Sequence, residues 1–483
     1  MPAIRTSVKT SRTPYSAPQQ KRLTRDSFLV EDLSDSTSCS DFDESYVQRA
    51  LLLPSGKSSS GRRQPSTSAH PSKSRVASTK CTADPITIKG ITFHPTVVFD
   101  TFWRWAFERK AIDDRRRSGM DAPWSEDPIF QRYAFCNTFR VLDKLSQYII
   151  REVIEKGSQE PNEVVFRVIL FNSFTKIDTW ELLDNELGPL TWPRYNRAEY
   201  QKVLTRAKRA GTTLYTGAFQ KPSPKFEFKD AHINHLCLLE VLMESDLPSR
   251  LMNAKYLAEV YEYLLSFPSM GEFSTYQLLL NLMYTNVLNF SNMDFVIAGP
   301  GATSGLTKMF GAKKMKAAKH AVPGIEEDLI RWFAENQNAQ FERLGLKFSG
   351  LGPDRLPMDL ADIEHAMCEV DKYSRQAHPQ FKGKSIHIRA IFHPSPGIYP
   401  PTPVLPKAWK HPDRKILRIW PGPRPTKDPR YVVSRIKAHR DGARGREYKV
   451  SWSGYTDADD TWEPEQGLLQ DAPGAVNEYL ASL

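Results

Sequence analysis

Through the middle of the chain, apolar residues return every three or four positions. In VVFDTFWRWAFERKAID the stripe is Phe99, Phe102, Trp103 and Phe107, which predicts an amphipathic helix. FRVLDKLSQYIIREVIE repeats the pattern with Phe139, Leu142, Leu145, Ile149 and Val153. EVVFRVILFNSFTKIDTWELLD and SRLMNAKYLAEVYEYLLSF carry it further. Gly119, Pro123, Gly157, Gly188-Pro189 and Pro268 mark where these helices should end. Two-residue alternation is scarce between Ile86 and Arg375, so a mostly α domain is expected there.

The flanks follow other patterns. Residues 1–85 hold 18 serines and no hydrophobic period. Such a segment cannot bury enough surface to offset chain entropy, and it reads as a disordered serine-rich, basic tail. Residues 376–430 carry 12 prolines. Proline fixes φ and removes a donor, so an extended linker is expected. From Tyr431 the period shortens to two. YVVSRIKAH and EYKVSWSGY read as strands around the turn RDGARG, DDTWEP opens a third strand, and APGAVNEYLASL closes as a short helix. The fold class is therefore multidomain: a disordered tail (1–85), a helical domain (86–375), a Pro-rich basic linker (376–430), and a small α+β domain (431–483) with a three-stranded antiparallel sheet and a C-terminal helix.

Charge changes the picture of the flanks. The 483 residues carry a net +10. By segment, Lys+Arg against Asp+Glu is 13 to 8 in the tail, 36 to 37 in the helical domain, 11 to 2 in the linker, and 6 to 9 in the last domain. The excess therefore sits in the tail and the linker. Trp409 and Trp420 alternate with Lys407, Lys410, Arg414, Lys415 and Arg418, a mixture suited to contacting DNA. A spacer that packs its tryptophans on a neighbouring domain is the alternative. Lys21-Arg22 and Arg62-Arg63 flank an acidic, serine-rich patch, which fits nuclear import and phosphorylation or a plain solvated tail.

Other classes are disfavoured. The N-terminus lacks an apolar signal stretch, and YQLLLNLMYTNVLNF is interrupted by Gln277, Asn281 and Asn286, so a soluble intracellular protein is expected. Five cysteines with no repeated spacing do not make a zinc ribbon or a disulfide scaffold. His232, His235 and Cys237 are close together but fall short of the usual four ligands, so no metal and no cofactor is expected. GxxxxGK[ST] is absent, which excludes a P-loop kinase in these residues.

One turn has recognisable mechanics. In SNMDFVIAGPGATSGLTKMFG an apolar run meets Gly299-Pro300-Gly301 and then a small-residue helix start. This resembles a helix-hairpin-helix turn, in which glycines let backbone N–H groups approach a phosphate. Lys308 and the lysines at 313, 314, 316 and 319 follow it. A tight turn between two helices explains the same residues.

The blocks GMDAPWSEDPIFQRYAFCNTFRVLDKLSQYII, VVFRVILFNSFTKIDTWELL, GPGATSGLTKMF and DIEHAMCEVDKYSR occur in that order. Together they are similar to the helical domain associated with 5-hydroxymethyluracil DNA kinases, which is grouped with α-glutamyl/putrescinyl thymine pyrophosphorylases and is distantly DNA-glycosylase-like. The resemblance implies binding to, or action on, a modified thymine in DNA. It carries over Trp124, Asp127, Asn137, Arg140, Asp143, Arg167, Asn172, Trp180, Gly299, Gly301, Gly305, Glu369, Asp371, Lys372 and Tyr373. Asp143, Glu369 and Asp371 are then the expected acid/base residues. Arg140, Arg167, Gly299, Gly301, Lys308 and Lys372 are the expected DNA or phosphate contacts. Read as residues alone, Arg140 and Asp143 fit an i, i+3 pair on one helix, and Arg167 fits a buried structural cation.

Tyr431-Val432-Val433, Trp452-Ser453-Gly454-Tyr455 and Thr461-Trp462-Glu463-Pro464-Glu465 resemble a chromodomain. The resemblance implies a methyl-lysine cage of Tyr431, Trp452 and Tyr455 bordered by Asp459, with a methylated histone tail added as a strand beside Tyr431–Val433. Trp462 is expected in the core. By alternation, Trp452 shares a face with Tyr448 and Val450, which by itself would make it core.

Three functions follow from these readings. The first is a nuclear chromatin protein that binds a methylated histone lysine and engages DNA, with activity on a modified thymine. The second is a non-enzymatic adaptor. The third, a mobile-element-derived protein, is disfavoured because no HHCC pattern is present.

Overall fold

The computed structural model describes Ser7–Val8 and residues 81–217, 222–226, 228–381, 383, 387–394, 400–426, 431–442, 445–452, 457 and 460–483. The expected tail therefore lies almost wholly outside the described residues.

The helical region opens with a hairpin, Ile86–Ile88 paired antiparallel to Ile91–Phe93. Its two turn residues, Lys89 and Gly90, both have positive φ (49° and 77°), the geometry that matches strand twist in two-residue hairpins. The short alternation ITIKGITF was its signal. Val97–Arg117 then forms the first expected helix as one piece. Thr96 Oγ1 accepts from the Val98 N–H at 3.2 Å and caps its start. Arg115, Arg116 and Arg117 occupy its last turn, where they complement the helix dipole. Its stripe is the centre of an aromatic core, with Trp103 stacked on Phe333 at 5.3 Å.

The other three helical runs break. Arg140–Leu142 is a single 3-10 turn, Lys144–Tyr148 is α-helical, and Ile149–Ile154 widens to a π-helix. Pro161–Phe174 and Ile177–Leu187 are separated by Thr175, whose φ is 52° and whose hydroxyl donates to Asn172 O at 2.9 Å. Leu247–Asn253 and Leu257–Ser266 are separated where Glu259 Oε2 accepts from the Lys255 and Tyr256 N–H groups. In the last two cases a local polar group competes with the helix, which a hydrophobic period does not reveal.

Leu360–Ala377 runs through the middle and packs on both Val97–Arg117 and Pro300–Phe310. The second crossing is very close. A Cβ on Gly301 would lie 2.2 Å from Cys368 Sγ, and one on Gly305 would lie 2.5 Å from Met367 O.

Residues 400–426 of the linker lie along the helical domain. Gln147 exchanges hydrogen bonds with the Val404 backbone, at 3.0 Å to its O and 2.8 Å from its N–H. Trp409 packs against the core, and Trp420 meets Tyr256 edge-on at 5.3 Å. Arg414 is buried and donates to the carbonyls of Met283, Thr285, Leu288 and Phe290. Lys407 pairs with Glu155 (3.0 Å), and Arg424 with Glu272 (3.0 Å) and Glu327 (3.1 Å). Both tryptophans pack on the helical domain, as in the spacer alternative, while Lys410 and Lys415 stay exposed.

The C-terminal sheet joins Tyr431–Gly442, Gly445–Trp452 and Thr461–Pro464 antiparallel, with helices Glu465–Asp471 and Pro473–Ala481 after it. Val433, Ile436, Tyr448, Val450, Trp452, Leu468 and Val476 form its core. Trp462 stands outside that cluster, against expectation. It is partly exposed, and the Arg440 guanidinium covers its ring at 4.4 Å. A short strand, Ser7–Val8, extends the sheet at the outer edge of Tyr431–Gly442. Among the described residues, no helix is long and apolar enough to cross a membrane.

Candidate nucleic-acid pocket and aromatic site

The break before Lys144–Tyr148 places Asp143. Its backbone is extended (φ −65°, ψ 145°), so its side chain turns away from the helix face on which an Arg140 pair was expected. Oδ1 accepts from Asn137 N at 2.8 Å and from Asn137 Nδ2 at 3.0 Å. Oδ2 lies 3.4 Å from His365 Nε2.

Asp143 and Asn137 line a cavity of about 1100 Å³. Pockets for drug-sized ligands measure roughly 300–1,000 Å³, so this one has room for a nucleotide. Trp124, Tyr133, Tyr148 and Trp180 supply aromatic walls, and Phe392, Pro394, Pro400 and Pro401 supply apolar ones. Trp124 is held from both sides, by Phe392 edge-on at 6.0 Å and by the Arg116 guanidinium at 5.2 Å. Arg117 donates to Pro401 O at 2.7 Å, and Arg151 donates to Thr402 O, so the helices and the linker enclose the space together.

Six cations (Arg109, Arg116, Arg117, Lys144, Arg151, Lys156) and five acids (Asp113, Asp143, Glu152, Glu181, Asp184) line the cavity. The lining is close to neutral, so it selects by placed groups and not by a broad positive field. Two of those groups stand out. Arg109 donates through Nε to Phe135 O at 3.2 Å, while its buried Nη1 has no hydrogen-bond partner among the described residues. Asn137 Oδ1 is likewise buried and without one. Burial pulls the Arg109 guanidinium below its usual pKa, and Asp113, Asp143 and Glu369 oppose that. Each such buried group costs about 1–3 kcal/mol where it stands. Cys136, Asp143 and His365 bring donor atoms within 4.8 Å of one another, but Cys136 is disulfide-bonded and offers no thiolate to a metal.

The other residues carried over from the sequence are elsewhere. Glu369 is buried, accepts from Cys136 N at 3.1 Å, and pairs with Lys372 at 2.8 Å. Asp371 is buried between Lys308 (2.9 Å) and Arg375 (2.9 Å) and accepts from Ser304 Oγ at 2.7 Å. The three carboxylates do not meet beside Gly299–Gly301, because only Asp143 lines the cavity. Lys308 and Lys372 are the buried halves of those ion pairs. Arg140 donates to Gln277 Oε1 at 2.6 Å and borders a separate space of about 30 Å³, room for one water. Arg167 donates to the carbonyls of Val153, Ile154 and Ser158, closing the end of the π-helix. Asp127 caps Pro128–Arg132 and accepts from Tyr373 Oη at 2.6 Å.

The expected phosphate turn is already occupied. The Gly299 N–H, at the start of Pro300–Phe310, donates to Glu364 Oε1 at 3.0 Å. A carboxylate thus sits where an incoming phosphate would approach, and Gly301 and Gly305 serve the helix crossing. His232 Nε2 is bonded to Thr205 Oγ1 at 2.8 Å.

Sequence reasoning missed Arg109, a charged residue seven positions after Phe102 on the buried side of its helix, and missed the linker's share of the cavity wall. In the last domain, Trp452 is buried, and its indole N–H donates to Thr461 Oγ1 at 2.9 Å. Tyr431 begins the strand paired with Val8. Tyr455 and Asp459 lie outside the described residues.

Comparison with known proteins adds the family. Residues 431–482 match the chromo (chromatin organisation modifier) domain. A 5-hmdU DNA kinase of Bacillus phage SP10 is 24% identical over 300 residues, 56% of this chain and 45% of its own length. The chain therefore spans less than half of that relative. No solved structure matches. Residues 96–383 match the helical domain of 5-hmdU DNA kinases, more than half of the chain, and this protein belongs to that family, with a chromodomain following the family's helical unit.

Proposed function

We propose that the helical domain takes one flipped-out thymine-type base of DNA into the 1100 Å³ cavity, while the chromodomain holds the protein on chromatin through a methylated histone lysine. The observation that carries this is the lining itself, in which Trp124, Trp180, Asn137 and Asp143 stand around one cavity. Trp124 and Trp180 supply stacking faces, worth roughly 1–3 kcal/mol per base. Unstacking the base costs a few kcal/mol, which these contacts offset. A 5-hydroxymethyl substituent is the chemical handle that sets such a base apart, and among the carboxylates of the lining we assign Asp143 to move a proton there. The proposed location is the nucleus.

The test uses duplex DNA with a single 5-hydroxymethyluracil or a thymine at the same position. Tighter binding of the modified duplex is expected, and Asp143→Asn should abolish the preference while leaving the salt dependence intact. Arg116→Ala should instead weaken both duplexes alike and lower the salt slope by about one. Equal affinity of the wild type for both duplexes sinks the base-reading claim. Nucleoside mass spectrometry after incubation separates enzyme from adaptor. The adaptor reading is favoured by one observation: Glu369 and Asp371 are locked in buried ion pairs and line neither of the two cavities described above.

For the chromodomain, Tyr455→Ala is expected to weaken a methylated histone peptide roughly two- to thirtyfold, the scale of one cation–π contact. Titration of methylated and unmodified peptides against the full chain reads this out. Equal binding by wild type and variant would remove the cage assignment. Trp452 is the poorer probe, because its truncation also opens the domain core.

A further inference from the structure

The linker is held unevenly along the helical domain. Its later part is locked: Arg414 is buried and donates to four carbonyls, and Arg424 pairs with Glu272 and Glu327. Its earlier part is held through peptide groups. Arg117 Nη1 donates to Pro401 O at 2.7 Å, Arg151 Nη2 donates to Thr402 O, and Gln147 exchanges hydrogen bonds with the Val404 backbone. Two guanidinium groups thus meet consecutive peptide units. Arg117, Gln147 and Arg151 line the cavity together with Pro400 and Pro401, so this stretch is one of its walls. Thr402 is exposed on it.

We propose that Thr402 is a phosphorylation site, modified by a protein kinase that prefers proline after its target, and that the phosphate docks on Arg117 and Arg151 and holds the linker closed against the cavity. The docking stands on the geometry of the linker; its consequence for DNA rests on the base-binding reading above. In the transfer, Thr402 Oγ1 attacks the γ-phosphorus of ATP. The new O–P bond replaces the bond to the bridging oxygen, ADP leaves with that electron pair, and the hydroxyl proton passes to a base of the kinase.

Three observations support the site. Pro401 and Pro403 flank Thr402 and hold it in the extended backbone that a kinase cleft accepts. Arg151 has capacity to spare: its buried Nε has no hydrogen-bond partner among the described residues. The acids closest to it in sequence are already engaged, Glu152 with Lys156 at 3.5 Å and Glu155 with Lys407 at 3.0 Å. A phosphate brings three acceptor oxygens, which match guanidinium forks with paired bonds that a single carbonyl cannot make. Arg117 and Arg151 are two of the six cations of the lining, so docking withdraws both from incoming DNA. The salt slope of DNA binding should fall by about two and the affinity by roughly tenfold or more near physiological salt.

The test treats the full chain with a purified proline-directed kinase and ATP, beside a Thr402→Val variant treated identically. Thr13, Ser223 and Ser395 also precede proline, and the variant controls for phosphate on them. Mass spectrometry is expected to find phosphothreonine at 402, and its absence overturns the proposal. The phosphorus resonance missing from Thr402→Val should titrate about one pH unit or more below the roughly 6 of an unpaired phosphothreonine, and Arg151→Gln should move it back up. Titration near 6 in the wild type overturns the docking. Amide exchange at Val404, whose N–H donates to Gln147 Oε1, should be about tenfold slower in the treated wild type than in the treated variant; equal exchange overturns the closure. Titration with the 5-hydroxymethyluracil and thymine duplexes separates the two readings. If the treated wild type and the treated variant bind the modified duplex equally, the effect on DNA falls and the base reading stands. If neither duplex is preferred even by untreated protein while the phosphorus shift is present, the base reading falls and the docking stands.

Discussion

Asp371→Ala is expected to lower the stability of the helical domain by about 3–5 kcal/mol, the cost of breaking a buried ion pair from one side. The carboxylate lies between Lys308 and Arg375, each 2.9 Å away, and all three side chains are almost fully buried. Its removal leaves two like charges facing one another in the core. Burial alone would raise the Asp371 pKa, but Lys308 and Arg375 overcome it and hold the group below the usual 3.8. A carboxylate depressed in the folded state contributes stability that is fully present above its unfolded pKa and is lost as pH falls through its folded one. The difference between wild type and variant should therefore persist from neutral pH to about pH 4 and shrink in stronger acid. Urea denaturation at several pH values measures it. A loss under 1 kcal/mol together with abolished base modification would restore Asp371 as an acid/base residue. The paired change Lys308→Met/Asp371→Leu should cost less than Asp371→Ala, because no lone charge on Lys308 remains.

The second large effect is expected at the helix crossing. Gly305→Ala places a methyl 2.5 Å from the Met367 carbonyl oxygen and 3.2 Å from its carbon. These are backbone atoms inside Leu360–Ala377 and cannot rotate away, so the helices must separate. Overpacking of this kind costs about 1–3 kcal/mol. Gly301→Ala meets Cys368 Sγ at 2.2 Å, and Cys368→Ala should relieve it in part. No companion at Cys368 should rescue Gly305→Ala. If these glycines instead cradled a phosphate, DNA affinity would fall at unchanged stability. That result, from denaturation and DNA titration on the same variants, would return the turn to the role its sequence suggested.

Much of the fold was legible because burial imposes a period. The stripe of Val97–Arg117 is the stripe that packs on Phe333, and the alternation after Tyr431 is a real sheet. Element ends were less legible. Thr175 and Glu259 stop helices through single local hydrogen bonds that hydropathy does not register. The candidate site was legible only in fragments. Asn137, Asp143, Trp124 and Trp180 came from the resemblance and do line one cavity. Glu369, Asp371, Lys308 and Lys372 came from the same blocks and turned inward to each other.

The sequence by itself determined the kinds of element, the order of the units, the two family resemblances, and the concentration of positive charge in the tail and the linker. Tertiary structure decided which charged groups remained available. A carboxylate and a cation read the same in a sequence whether they face a ligand or one another. Which they face depends on residues far apart in the chain, such as Lys308 with Asp371, Gly299 with Glu364, and Val8 with Tyr431. A buried charge must find a partner, and an open sheet edge must find a strand. In this protein, many of the groups that composition offered to DNA or to a histone tail have found theirs inside the chain.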